Sequence, residues 1–165
     1  MLVVDRAAFT SRPPVSGEAH PHNLRLLADF GVRLNGGQRT ASARVFISRR
    51  LDPARWTPTQ NRLESMAASL GFDVVLAQEL AWTEQVKLAA SCHSLAGLHG
   101  AGLANLVFGP SSMRLIEVFP GEMRNWCYFR AARSLGIEYL GHSYSNMPLE
   151  EEVLGPLLVG DGPPP

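Results

Sequence analysis

Three short segments carry residue types that suit the binding of a phosphorylated ligand. Ser48, Arg49 and Arg50 follow the apolar run Val45–Ile47, and the wider window adds Arg44 and Arg55. A guanidinium donates two parallel hydrogen bonds, which match the oxygens of a phosphate. On this window alone, however, a solvated basic loop explains the residues equally well.

The second segment is His99-Gly100-Ala101-Gly102, which follows the apolar run Leu95–Leu98. Small residues allow a backbone to approach a ligand closely, and the N-terminus of a helix that begins here favours an anion. His99 has a ring that can donate a hydrogen bond to a phosphate or a sugar. The alternative is a tight turn in which the histidine only packs.

The third segment is Ile116–Pro120, in which Glu117 interrupts an otherwise apolar run. A carboxylate at that position is able to accept hydrogen bonds from two ribose hydroxyls. An ion pair with a neighbouring arginine is the alternative. A cation, a helix N-terminus and a carboxylate together are what a nucleotide diphosphate sugar requires.

The elements that must position these segments alternate between strand and helix. We predict a parallel sheet with helices on both faces, since alternating elements with right-handed crossovers produce that architecture. Ligands bind beyond the carboxyl ends of the strands in such sheets, where all three segments lie. The predicted strands are Val45–Ile47, Val74–Leu76, Leu95–Leu98, Leu115–Phe119 and Ile137–Leu140.

The predicted helices follow from capping residues and apolar spacing. Pro58 at N1, with Thr57 and Gln60 as a capping box, predicts a helix that ends before Gly71. Thr83 is expected to cap a second helix, Gly102–Phe108 a short third one, and Tyr128–Leu135 a fourth that ends at Gly136. Residues 1–43 are irregular, and Leu24, Leu27 and Ala28 indicate one or two helical turns closed by Gly31.

The predicted organisation has three parts. Residues 1–43 are interpreted as the remnant of an N-terminal region or linker, residues 44–145 as the domain, and residues 146–165 as a tail rich in Pro and Gly. The chain has 165 residues, which suffice for one domain with a core of its own.

Composition excludes several classes of protein. Lys plus Arg and Asp plus Glu number 15 each, and this balance argues against a protein that mainly binds nucleic acid. Cys92 and Cys127 are the two cysteines, too few for a disulfide framework, and we expect both to be reduced. The most apolar run is too short to span a bilayer, and no signal peptide is evident, so the sequence predicts a cytoplasmic protein.

Other nucleotide and hydrolase motifs are missing. The segment after the first strand has no Gly-x-Gly-x-x-Gly pattern, and the chain has no Gly-x-Ser-x-Gly turn of a lipase-like hydrolase. A metal site made of Cys92, His93 and His99 is discounted because adjacent Cys and His residues do not easily bind one ion.

An ordered set of motifs resembles glycosyltransferase family 61. The resemblance covers roughly Arg44 to His142 and consists of Val45–Arg50, Gly71-Phe72, Glu84–Val86, His99–Asn105, Ile116–Pro120, and Tyr128 to Tyr139 with Leu135-Gly136 between them.

The resemblance implies the C-terminal half of a GT-B fold, a Rossmann-like domain that holds a UDP-sugar. It also implies inverting transfer, without a required metal or other cofactor, to a glycan or another hydroxyl acceptor, as in polysaccharide biosynthesis. By resemblance, Arg49 and the N–H groups after His99 would stabilise the diphosphate, and Glu117 would hold the nucleotide or its ribose. His99 would contact phosphate or donor sugar and is the candidate catalytic residue. The donor-binding residues are then Ser48, Arg49, His99, Gly100, Ala101, Gly102 and Glu117.

The resemblance leaves two questions open. A general base is not assigned, and the acceptor domain that precedes the donor domain in the family is nearly absent from this sequence. The alternative function is therefore a non-catalytic module that binds a nucleotide or a protein partner.

Overall fold

The computed structural model describes residues 20–37, 42–50, 58–120 and 125–143, together with residues 155 and 158. Helices and strands alternate along these ranges, and two 3₁₀ segments, Ala77–Glu79 and Ala101–Phe108, lie between them. The helices are α1 (Pro21–Leu34), α2 (Pro58–Ser69), α3 (Trp82–Ala90) and α4 (Cys127–Leu135). The strands are β1 (Ala43–Ile47), β2 (Asp73–Val75), β3 (Cys92–Leu98), β4 (Arg114–Phe119) and β5 (Glu138–Ser143).

The five strands form one sheet in the order β2-β1-β3-β4-β5, and every pair is parallel. This confirms the predicted parallel sheet. The chain leaves β1 towards one edge of the sheet and returns through β3 on the other side of β1. Such a reversal opens a crevice at the carboxyl ends of the two strands, which is where ligands bind in sheets of this class.

Both faces of the sheet are covered, as predicted. Phe46 and Ile116 pack on one face against α2 and against Leu158. On the other face Val45 and Leu115 pack against the segment Ala101–Phe108 and against α4. Because side chains alternate along a strand, neighbouring residues serve opposite layers.

The first helix corrects the sequence prediction. A helix of one or two turns closed by Gly31 was expected, but α1 has 14 residues and contains Gly31. The reason is tertiary: a β-carbon at position 31 would lie 2.5 Å from the carbonyl oxygen of Phe108, so glycine allows α1 to pack closely on the Ala101–Phe108 segment. The ring of Phe30 also packs against that of Trp82, with 5.8 Å between the ring centroids. This helix is therefore part of the packed domain.

The other predicted helix ends are confirmed in part. Gly71 and Gly136 have φ of +82° and +73°, as expected of residues that follow a helix, because a left-handed backbone favours glycine. Thr83 is not the cap of α3: the Glu84 carboxylate accepts the N–H of Ala81 at 2.7 Å, so the helix begins earlier, at Trp82. The predicted cap Thr57 lies outside the described residues.

Strand boundaries differ from the predictions where polar residues obscured the pattern. The third strand begins at Cys92 rather than Leu95, because β1 and β4 pair with it on both sides. The fifth begins at Glu138 and extends to Ser143, in register with β4. Within the described part of the chain, no helix has the length and apolar character needed to cross a membrane.

Replacing Gly31 with alanine should destabilise the protein, although alanine is the better helix former by about 0.5–1 kcal/mol. The added methyl group would lie against the Phe108 backbone, and overpacking typically costs about 1–3 kcal/mol. Thermal or urea unfolding of Gly31→Ala measures the loss. Gly155→Ala is the matched control, because no described residue lies within 4 Å of a β-carbon there; a Gly31→Ala variant as stable as this control would contradict the explanation.

Candidate functional site

The candidate site lies at the carboxyl ends of β1, β3 and β4. Ile47 and Gly97 are partners in the pairing of β1 with β3, and Gly97 in turn pairs with Glu117 of β4. The residues that follow β1 and β3 are therefore neighbours, and the structure brings Arg49 together with His99 and Gly100.

Arg49 is fixed to the backbone of the neighbouring loop. Its Nη1 donates a 2.8 Å hydrogen bond to the carbonyl oxygen of His99. A β-carbon at Gly100 would lie 3.4 Å from Cζ of Arg49, so the guanidinium lies directly beside the Gly100 backbone. A half-buried cation is thus positioned at the β1/β3 crevice.

His99 is held from several directions. Its backbone N–H donates to the Val118 carbonyl oxygen at 2.8 Å. Its ring stacks on Phe119 with 5.0 Å between ring centroids and 17° between ring planes. The ring of Tyr128 lies 5.6 Å away, and the Tyr128 hydroxyl donates to the Gly100 carbonyl at 2.8 Å. The His99 side chain nevertheless keeps 28% of its surface exposed.

Glu117 lies beneath His99 and has no exposed surface. Its Oε1 is 2.5 Å from Nδ1 of His99, and its Oε2 accepts a 2.8 Å hydrogen bond from the Tyr139 hydroxyl. In the described part of the chain, the side-chain partners of Glu117 are thus a histidine and a tyrosine rather than an arginine. The carboxylate is fully buried beneath His99, so a ribose does not reach it in this arrangement, and the role proposed for Glu117 below is a different one.

Two glycines are the sheet neighbours of Glu117. Glu117 is flanked across the sheet by Gly97 of β3 and Gly141 of β5. A β-carbon at position 141 would lie 2.8 Å from the Tyr139 hydroxyl oxygen, so any larger residue would displace that hydroxyl. Sequence reasoning missed the part played by Gly141, because it depends on the register between β4 and β5.

Burial and hydrogen bonding act in opposite directions on the Glu117 carboxyl. Burial raises its pKa above the ordinary value, and the contacts with His99 and Tyr139 only partly offset this. Burial also raises the pKa of Tyr128 to about 12 and raises that of Cys127. Both groups are therefore neutral near pH 7.

Ser48 does not face this cluster. It has 1% of its surface exposed, and its hydroxyl donates to Oε1 of Glu64 at 2.5 Å on the α2 side of the sheet. The same hydroxyl accepts the N–H of Arg50 at 3.1 Å. Ser48 thus organises the turn after β1, and the next residue, Arg49, points towards His99.

The expected group of arginines is divided between different places. Arg50 forms an ion pair with Glu64 at 2.5 Å, and the Gln60 amide donates to the same carboxylate at 2.8 Å. The capping box that was predicted for Thr57 and Gln60 stays a prediction, because Thr57 lies outside the described residues. Arg44 lies towards the amino-terminal end of β1, where it donates to the carbonyl oxygens of Leu70 and Leu158 at 2.8 and 2.7 Å. The fourth arginine, Arg55, lies outside the described residues.

The other two residues of the glycine-rich segment differ in exposure. Ala101 is exposed, and Gly102 is half-buried against β1. A β-carbon at Gly102 would lie 2.6 Å from Cγ2 of Ile47, so glycine is required there for close packing on the strand. The expected helix after Gly100 is a 3₁₀ segment that begins at Ala101.

The discounted metal site is not assembled. Cys92 begins β3 and His99 follows its end, so a strand of seven residues, roughly 20 Å long, separates them. In the part of the chain that the structure describes, no three His, Cys, Asp or Glu side chains are grouped so as to hold a metal. Both cysteines are free thiols, and burial raises the pKa of Cys92 to about 12.

The two buried glutamates should have opposite effects on stability as pH changes. The hydrogen bonds from Ser48, Arg50 and Gln60 outweigh burial and lower the pKa of Glu64. Its ionised form therefore stabilises the fold above the unfolded pKa, and this contribution is lost as pH falls through the lower folded value. The pKa of Glu117 is raised, so its ionisation costs stability at neutral pH, and protonation removes that cost as pH falls.

Thermal unfolding of Glu64→Gln and Glu117→Gln across the acidic range tests this contrast. Glu64→Gln should be less stable than the wild type at neutral pH, with a difference that shrinks in acid. Glu117→Gln should be at least as stable as the wild type at neutral pH, and its advantage should shrink in acid. If both variants lose stability equally at neutral pH, the two assigned pKa directions are wrong.

Comparison with known proteins identifies relatives among glycosyltransferases. A similar sequence is an EGF domain-specific O-linked N-acetylglucosamine transferase of Pan troglodytes, 28% identical over 141 residues, which are 80% of this chain and 27% of that protein. The enzyme of the same name in Drosophila melanogaster is 31% identical over 79% of this chain and 26% of its own length. An alpha-1,3-arabinosyltransferase (XAT3) of Oryza sativa subsp. japonica is 33% identical over 48% of this chain and 15% of its own length.

The chain thus spans about a quarter of the length of the N-acetylglucosamine transferases that it matches. A family model described as Glycosyltransferase 61 matches residues 2–116, well over half of the chain, and includes the N-terminal residues that were interpreted as a remnant. The chain belongs to glycosyltransferase family 61.

Proposed function

We propose that this chain is the donor-binding part of an inverting glycosyltransferase that uses a nucleotide sugar, with UDP as the nucleotide. The sugar would pass to a hydroxyl of a glycan or of another acceptor. The parallel sheet with helices on both faces supports a Rossmann-like domain, and we propose that it is the C-terminal half of a GT-B fold.

The observation that carries this proposal is the pairing of Arg49 with the His99 loop at the β1/β3 crevice. Departure of a nucleoside diphosphate develops negative charge on phosphate oxygens, and catalysis requires that this charge be stabilised. Arg49 is held by the His99 carbonyl, beside the Gly100 backbone, which positions its guanidinium at the crevice. Its guanidinium and the His99 ring are the groups that we propose contact the diphosphate.

The relatives support the chemical class of the donor. Their names describe an O-linked N-acetylglucosamine transferase and an alpha-1,3-arabinosyltransferase. We propose that this chain likewise binds a donor whose sugar passes to a hydroxyl group. Because this chain spans about a quarter of the N-acetylglucosamine transferases, we propose that the acceptor site and the general base lie in a facing domain. The cytoplasmic location expected from the sequence stays a prediction.

The isolated chain should bind UDP, and Arg49→Ala should weaken binding by about tenfold or more, because a charge-assisted hydrogen bond contributes about 1.5–3 kcal/mol. Isothermal titration calorimetry measures the change. Arg133→Ala is the matched control: this arginine is exposed in the last turn of α4, away from the carboxyl ends of the strands. Equal losses in both variants would contradict a phosphate site at Arg49, and absence of binding to the folded wild type would favour the non-nucleotide module.

The isolated chain should not transfer sugar, although it binds the donor nucleotide. A donor site that faces water lacks the closure that aligns an acceptor and excludes solvent. Incubation with UDP-N-acetylglucosamine and a glycan acceptor, followed by mass spectrometry, tests this expectation. Sugar transfer by this chain alone would show that the general base lies within it.

A further inference from the structure

We propose that the chain of contacts Tyr139–Glu117–His99 couples donor binding to proton uptake, an inference that rests on the proposed function. In this proposal Glu117 is a positioning residue that acts through His99. It holds Nδ1 of the ring, so that Nε2–H donates to an oxygen of the donor diphosphate. The site takes up one proton from solvent when the diphosphate binds.

The geometry leaves one ring nitrogen for a ligand. Nδ1 of His99 contacts Oε1 of Glu117 at 2.5 Å, while stacking on Phe119 fixes the plane of the ring. The ring is partly exposed, whereas the carboxylate beneath it is not. Glu117 therefore reaches a ligand through His99, whose Nε2 lies on the far side of the ring from the carboxylate.

Counting protons shows how an anion would affect this pair. With one shared proton, the imidazole and the carboxylate together carry a net charge of −1, which opposes a diphosphate. With two protons the pair is neutral, and Nε2 carries a hydrogen whether the shared proton lies on Nδ1 or on Oε1. A diphosphate therefore favours the two-proton state, both by charge and by the hydrogen bond that it accepts.

The other ionisable groups that face the pair keep their charge near neutrality. Arg49, after β1, stays positive, while burial raises the pKa values of Tyr128 and Cys127 on α4 and keeps both neutral. Burial and the bond to Glu117 likewise raise the pKa of Tyr139 on β5. Burial raises the pKa of Glu117 itself, which makes the second proton easier to accept.

This arrangement also separates two roles that the sequence left open for His99. A general base must present an unprotonated nitrogen to the acceptor while the donor is bound. A diphosphate beside His99 favours the protonated Nε2 instead. His99 is then a ligand that stabilises the leaving group, and the base belongs to the facing domain.

Calorimetric titration of UDP in two buffers of different ionisation enthalpy measures the protons taken up on binding. The pH is chosen so that the terminal phosphate of UDP is already fully ionised. The wild type should take up a substantial fraction of one proton. Glu117→Gln should lose most of that uptake and bind UDP about tenfold more weakly, as expected when one charge-assisted hydrogen bond is impaired.

Two further variants separate this role from a general loss of structure. Arg49→Ala should weaken binding but retain proton uptake, because the His99–Glu117 pair is intact. His99→Gln should bind weakly and without uptake, and it carries the test if Glu117→Gln does not fold, since position 99 is partly exposed. Proton uptake by Glu117→Gln equal to that of the wild type would overturn the inference while leaving the UDP site intact; no UDP binding by the wild type would overturn both.

Discussion

The contact between Glu117 and His99 is the interaction around which the carboxyl edge of this sheet is arranged. A carboxylate in an interior strand with no exposed surface is costly unless hydrogen bonds satisfy both oxygens. The adjacent parts of the sheet supply them: His99 follows β3, and Tyr139 lies on β5. Gly97 and Gly141 are its partners in the sheet, and the lack of a side chain at Gly141 leaves room for the Tyr139 hydroxyl. One polar group thus constrains residues on both neighbouring strands.

Much of the fold could be predicted because its signals are local. Gly71 and Gly136 mark helix ends through their own backbone geometry, and apolar runs mark the buried strands. The signals that misled depend on distant contacts. In the sequence Gly31 looks like the residue that ends a helix, yet it lies within α1. Because it has no side chain, the backbone of Phe108, 77 positions later in the sequence, packs directly against it. No local pattern contains that information.

The candidate site shows the same difference between what local sequence predicts and what depends on distant contacts. Its location followed from topology, since residues after parallel strands share one edge of the sheet. The direction in which each side chain points did not follow from topology. Ser48 and Arg49 are adjacent in sequence, but the first faces Glu64 on the α2 side and the second faces the His99 loop. Likewise, the arginines that are close together in the sequence have partners in different places. Arg44 donates to two backbone carbonyl oxygens, and Arg50 pairs with the buried carboxylate of Glu64.

The contrast between the two buried glutamates indicates which one is retained for a reason other than stability. Glu64 has an arginine, an amide and a hydroxyl as partners, and these lower its pKa despite burial. Glu117 has a histidine and a phenol, and its pKa remains raised. A buried carboxylate contributes to stability when its hydrogen bonds and ion pairs offset the cost of burying the charge. When they do not offset that cost, the carboxylate reduces stability, and a neutral residue of similar shape can replace it. Groups kept at such a cost are concentrated at functional sites. Glu117, beneath a partly exposed imidazole at the strand crevice, fits that description, and Glu64 does not.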